Sequence, residues 1–190
     1  LVQLGFSDAE ETAIGATIVK REYERLLREQ QQDIIITSAC ASLNLLVEKH
    51  FPDLRKYLAP VVSPMIAHAI DIKRRIPDAK VVFIGPCVAK KDEYEGTAVD
   101  VVLTFEEFDQ MRLAAGIEIE PEFGESFPGR ARSFPVTGGI LKSMDIPDTG
   151  YQCLATNGPK NCMNALNDIS SGNIHKCFIE LAMCDGSCID

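Results

Sequence analysis

Three short runs of almost unbroken apolar residues set the tightest limit on what this chain can become. They are DIIIT at 33–37, KVVFI at 80–84 and KCFIEL at 176–181. A strand with one wet face alternates apolar and polar residues. A run without alternation reads as a strand covered on both faces, the usual condition of a parallel sheet. Stretches with helical spacing lie between these runs. Ile14, Ile18, Leu26 and Leu27 are candidate apolar contacts of a first helix reaching about Gln31, and Leu43, Leu46, Val47 and Phe51 mark a second. Ser7 with Glu10 three residues later has the form of a capping box opening the first helix. Ser63 then Pro64 has the form of a third start, cap followed by proline, with the helix running to about Arg75.

Weaker signals continue the alternation. Residues 100–103 form a short strand candidate, and Thr104 with Glu107 caps the helix after it, which Gly116 ends. Residues 117–139 are rich in Gly, Pro and Glu and are expected to form a long surface excursion. A short helix at 139–144, a strand at 151–155 and a helix at 159–169 closed by Gly172 complete the pattern. Strands alternating with helices predict an α/β fold with largely parallel sheets flanked by helices. No repeat or flexible linker divides the 190 residues. One domain, or two tightly packed lobes, is expected. The first residue is Leu1 rather than methionine, so the chain is expected to be a piece of a longer protein.

Net charge is 19 − 28 = −9, which argues against binding phosphate backbones or an anionic membrane surface. No apolar run approaches the roughly 20 residues of a membrane span. Seven cysteines, an odd number, occur in a chain long enough not to need disulfide staples. That usage points to a reducing cytoplasm, with thiols kept for metal or for packing.

The positions of the cysteines carry more information than their number. Cys40 lies just past the 33–37 run, Cys87 just past 80–84, and Cys184 and Cys188 just past 176–181. Ligands of open α/β sheets bind beyond the carboxyl ends of the strands, so four thiols reach one sheet edge by pattern alone. Four thiolates suit an iron–sulfur cluster or a structural zinc. Zinc fits less well, because structural zinc sites draw ligands in close pairs and two of these cysteines are isolated. Free cysteine is also a common buried residue, so spacing alone leaves a metal site and plain packing both open. Cys153, Cys162 and Cys177 fall within expected strands or a helix and are read as packing residues.

Three segments taken together resemble a known family. TSAC at 37–40, GPCVAKKDE at 85–93 and ELAMCDGSC at 180–188 look like the three signature loops of the [FeFe]-hydrogenase catalytic domain, in order and in context. HFPDL at 50–54 and SPM at 63–65 extend the likeness over nearly the whole chain. The resemblance implies a two-lobed domain, partial relative to the family and truncated at both ends. It implies that Cys40, Cys87, Cys184 and Cys188 hold a [4Fe–4S] cubane, with Cys188 shared with a two-iron unit carrying CO and cyanide. Lys90 would hydrogen-bond a cyanide and offset cluster charge. Ser63, Pro64, Gly85 and Pro86 would border the cofactor, and Glu93 and Glu180 would brace the loops. The partners implied are H2 and protons, an electron-donor iron–sulfur domain, and signalling modules in the parent chain. Chain produced in air is expected to lack the cluster.

Departures from the pattern point to a branch of that family. Catalytic members carry a proton-relay cysteine where this chain has Ala39. They carry a methionine at Gly85, a serine at Ala59 and a methionine at Ala182. Alanine and glycine can neither pass protons nor shield a metal. The combination resembles the sensory members, which turn over slowly. A non-catalytic [4Fe–4S] protein acting in cluster delivery is the alternative, and a zinc module ranks last.

Overall fold

A computed structural model of the chain describes residues 1–118, 129–146 and 148–189. The first helix, α1, runs Ala13–Glu29. It leads into β1, Ile34–Ile36, then α2, Ala41–His50, and α3, Pro64–Arg75. Strand β2, Val82–Gly85, is followed by the single turn α4, Lys90–Glu93, and by β3, Val101–Thr104. Helix α5 spans Phe105–Ala114 and the short α6 spans Gly139–Ser143. Strand β4, Gln152–Asn157, helix α7, Pro159–Ser170, and β5, Cys177–Ala182, form a strand–helix–strand crossover.

Among the described residues, every paired strand is parallel. One sheet has the order β1-β5-β4, with Ile34 and Gln152 flanking Cys177, and a second joins β2 to β3. The apolar runs have the expected cause. Ile34, Ile36, Cys177, Ile179 and Leu181 enter one core cluster with Leu43 and Val47 of α2 and Cys162 and Leu166 of α7. Ile35 and Phe178, one residue out of phase, enter another with Val19, Tyr23 and Leu27 of α1 and Ile140 of α6. Side chains alternate across a strand, so both phases must be apolar when helices cover both faces. Phe178 meets Tyr23 edge-to-face, with ring centroids 5.6 Å apart.

Helix α3 links the two sheets. Its Ala67 belongs to the α1 cluster, while Met65, Ile66 and Ala69 pack with Val99 and Val102 beside the second sheet. It lies so close to α1 that a Cβ on Gly15 would sit 2.1 Å from the Pro64 carbonyl oxygen. Among the described residues, no helix is long and apolar enough to cross a membrane.

Four local expectations need correction. The capping box at Ser7 and Glu10 does not form: α1 begins at Ala13, and the Glu10 carboxylate instead meets Arg75 at 2.7 Å and His68 at 2.9 Å. A charged arginine and a histidine on α3 offer more than a local backbone amide. The buried stripe of α1 is Ala16, Val19, Tyr23 and Leu27; of the expected contacts, Leu27 lies in it, Ile18 and Leu26 pack against it half-buried, and Ile14 is outside it. Strand β2 starts at Val82 and is only half-buried along most of its length. Ser63 precedes α3 with Pro64 in the first turn, as expected, yet its hydroxyl makes no cap bond. The Thr104–Glu107 capping box does form, with both reciprocal bonds present. Of the expected surface excursion, residues 119–128 lie outside the described residues.

Candidate functional site

Each cysteine loop is fixed by bonds of its own. After β1, the Ser38 amide donates to the Tyr23 hydroxyl at 3.0 Å, its own hydroxyl donates to the Val61 carbonyl, and Asn44 donates to the Ser38 carbonyl. Cys40 then takes the position just before α2. After β2, the Phe83 ring lies where a side chain at Gly85 would project, 2.7 Å from an added Cβ, so the glycine accommodates the ring. After β5, the Gly158 amide donates to the Ala182 carbonyl. The Ser187 amide donates to the Cys184 carbonyl, and the Cys188 amide to the Pro135 carbonyl at 2.8 Å.

The three loops face one cavity of about 330 Å³. Ala39, Cys40, Pro64, Pro86, Cys87, Lys90 and Cys188 all border it, as do Glu180, Ala182 and the Phe83 ring. Ser63 and Gly85 do not: Ser63 is buried behind Pro64 with its hydroxyl oxygen unpartnered, and Gly85 is covered by Phe83. Cys184 and Cys188 are both exposed, Cys188 on the cavity lining and Cys184 off it. Protein packed on one side of Cys184 raises its thiol, and the thiols of Cys40 and Cys87 raise it further. Cys188 is pushed up to about 11, first by the surrounding protein and then by the other three thiols, with Lys90 acting the opposite way. Four thiols therefore lie within electrostatic reach of one another, with one cation near Cys188, a donor set whose anionic form a metal would favour.

Among the described residues, no three Cys, His, Asp or Glu side chains converge closely enough to hold a single metal ion. A cubane takes one thiolate at each of four irons and accepts a wider spread than one zinc ion does. The donors present fit a cluster better than a lone ion.

Lys90 is nearly buried. Its ammonium donates to the Ala39 carbonyl at 3.0 Å and pairs with Glu93. Two of its three protons are thereby engaged, and one remains. Lys91, the other half of the lysine pair, meets Glu107 in a far more exposed setting. Glu180 is buried, and burial raises its carboxyl while backbone amides of residues 138–141 oppose that; Leu141 donates to it at 3.1 Å. It braces the start of α6 against β5.

The remaining cysteines stay apart from the cavity. Cys162 and Cys177 are fully buried and pushed up to about 11 by burial. Cys162 lies near Cys40, and its thiol is directed at the Ala182 carbonyl at 3.2 Å. Ala59 is buried in the α1 cluster and does not border the cavity.

Sequence reasoning missed several residues here. Glu11 and Arg132 pair at 3.0 Å on the cavity lining, and the Phe83 ring and Ser187 also reach it. Ser187 carried one legible signal, its place between two candidate ligands. Thr137 and Asn157, which hold its loop, carried none.

Parallel strands here bring cysteines from three loops of an α/β domain to one cavity at the strand ends. The chain belongs to the iron-only hydrogenase large subunit family, whose C-terminal domain matches residues 1–190. No curated protein sequence matches it. Solved structures agree on the fold. An [FeFe]-hydrogenase structure concerned with oxygen inactivation and degradation of the H cluster 2Fe subcluster superposes with a TM-score of 0.69 at 20% identity, covering 97% of this chain and 69% of that one. An apo variant of [FeFe]-hydrogenase HydA1 from Chlamydomonas reinhardtii gives 0.69 at 20% identity with the same coverage. A further HydA1 variant from that organism gives 0.71, again at 20% identity and the same coverage.

Proposed function

We propose that this domain binds an H-cluster and acts on hydrogen at low turnover, as a sensing element in a larger signalling protein. The observation that carries the proposal is the meeting of Cys40, Cys87 and Cys188 with nearly buried Lys90 at one cavity, Cys184 standing beside it. In this reading the four cysteines hold the cubane, and Cys188 is shared with the two-iron unit. When bound, that unit supplies the reversible conversion of H2 to two protons and two electrons.

The chain's own residues set the conditions. The Lys90 ammonium offsets negative charge on the cavity wall and keeps a proton available for a cyanide nitrogen. Pro64 and Pro86 close the cavity with apolar surface. Ala39 presents a methyl group where a proton carrier would stand, and Ala182 adds another small apolar side chain. With no exchangeable proton at position 39, protons must arrive by a slower route, which suits detection better than bulk production. Electrons would come from an iron–sulfur domain or protein, and the free thiols suit a reducing cytoplasm.

The test is infrared spectroscopy of the matured, anaerobically purified protein carrying this domain. Bands of metal-bound CO and cyanide support the proposal. A cubane without those bands supports cluster delivery instead, and zinc without iron defeats both.

A further inference from the structure

Ser187 stands between two of the proposed ligands in a backbone conformation that side chains rarely adopt. Its φ is 75°, and Gly186 before it has φ 74°. Glycine would enter this region freely, whereas a serine there calls for compensating contacts. The contacts are present. Ser187 is buried at 6% exposure, borders the cavity, and pairs with Val136 in an isolated antiparallel bridge. Its hydroxyl lies 3.1 Å from the Thr137 hydroxyl.

The group behind these hydroxyls favours one direction for their hydrogen bonds. The Gly186 amide donates to Asn157 Oδ1 at 3.2 Å, which fixes the orientation of that side-chain amide. Asn157 Nδ2 therefore faces Thr137 and donates to its hydroxyl oxygen at 2.6 Å. Thr137 has one proton to give, and Ser187 Oγ is the acceptor at hand. If Thr137 donates to Ser187, the Ser187 proton is left over, and the residue borders the cavity that Cys188 also borders.

We propose that Ser187 donates its hydroxyl proton to a sulfur of the cysteine-bound cluster, and that Asn157 and Thr137 are positioning residues that orient it. This rests on the reading of Cys40, Cys87, Cys184 and Cys188 as cubane ligands. Hydrogen bonds to cluster sulfurs stabilise the more negative, reduced state and so raise the reduction potential. The strained serine then has a function that glycine could not serve: it tunes the potential from within the ligand loop.

The experiment is a redox titration of the full chain, reconstituted anaerobically with ferrous iron and sulfide, following the reduced cubane by electron paramagnetic resonance. Ser187→Gly keeps the backbone at ease and removes the hydroxyl. Thr137→Val removes the orienting group, and Thr137→Ser preserves it. Ser187→Gly and Thr137→Val should each lower the potential, by up to about tenfold in the reduced-to-oxidised ratio at fixed ambient potential, or about 59 mV for one electron. Thr137→Ser should stay near the parent value. Unchanged potentials in Ser187→Gly and Thr137→Val, with full iron and sulfide content, would overturn the role of Ser187 and leave the ligand set standing. Failure of the parent chain to take up iron and sulfide would overturn both.

Discussion

Lys90 Nζ donates to the Ala39 carbonyl oxygen at 3.0 Å, tying the loop after β2 to the loop after β1 across the cavity. The two residues are 51 positions apart and sit on loops of different sheets. The same ammonium pairs with Glu93, the two side chains being 11% and 15% exposed. Removing the cation would strand a mostly buried carboxylate and free the Ala39 loop. Lys90→Met is expected to cost about 3 kcal/mol of unfolding free energy in the cluster-free chain, read from urea denaturation. Adding Glu93→Leu should recover part of that loss. A double variant whose cost equals the sum of the two singles would show that the pair is not coupled.

Iron and sulfide content tests the ligand set. After anaerobic reconstitution, Cys40→Ala, Cys87→Ala, Cys184→Ala and Cys188→Ala should each lower both. Cys153→Ala, Cys162→Ala and Cys177→Ala should leave them unchanged, while the two fully buried positions lose some stability to cavity formation. Abolition of iron binding by Cys162→Ala, with Cys40→Ala intact, would reassign the site.

The methyl group of Ala39 borders the cavity, so a thiol there would face whatever the cavity holds. Proton transfer by a positioned group is typically worth about 10²–10⁴-fold in rate. Ala39→Cys is expected to raise hydrogen evolution in the matured protein toward the low end of that range. Ala59 is buried in the same apolar cluster that Ala39 packs against. A serine at 59 therefore carries a desolvation cost of about 1–2 kcal/mol unless it finds a partner. Ala39→Cys with Ala59→Ser should exceed the product of the single gains if both lie on one proton path. Turnover normalised to infrared-active cluster, unchanged in every variant, would remove Ala39 from the case for the proposed slow turnover.

Asp100 gives a prediction for acid stability. The Lys73 ammonium at 2.8 Å is the main cause of its lowered carboxyl, with the Val81 amide and Lys80 adding to it, and the result is about 2. The unfolded value is near 3.9. A depressed folded value contributes stability that is complete above about pH 5 and is lost as pH falls through about 2. Partial exposure limits the contribution to about 1 kcal/mol. Asp100→Asn should destabilise the chain near pH 6 by about that amount, with the difference from the parent shrinking toward pH 2. An equal difference at both pH values would mean that packing, not charge, accounts for the effect.

Gly15 tests how the cavity wall is held. A Cβ there would meet the Pro64 carbonyl at 2.1 Å and the His68 Cβ at 2.6 Å, so α1 and α3 would have to separate. Gly15→Ala should gain slightly in helix propensity and still lose about 3 kcal/mol overall. For a chain of this size that is a fall of roughly 6–12 °C in Tm by calorimetry. An unchanged Tm would show that the contact between the helices is slack.

What the sequence determined by itself was burial within elements and the order in which they occur. The runs III at 34–36 and CFI at 177–179 specify strands covered on both faces, because consecutive residues in them are apolar where a half-wet strand would alternate. Cysteines placed after those runs put thiols at strand ends, and Thr104 with Glu107 specifies its own cap. Tertiary structure decided the rest. Glu10 looked like a local cap and instead serves His68 and Arg75, 58 and 65 positions away. Ser187 found its partner in Thr137, 50 positions away, and Gly15 earned its place only through the approach of α3. Periodicity reports which side of one element is dry. The meeting of loops from separate sheets depends on how whole layers pack, and no local spacing encodes that.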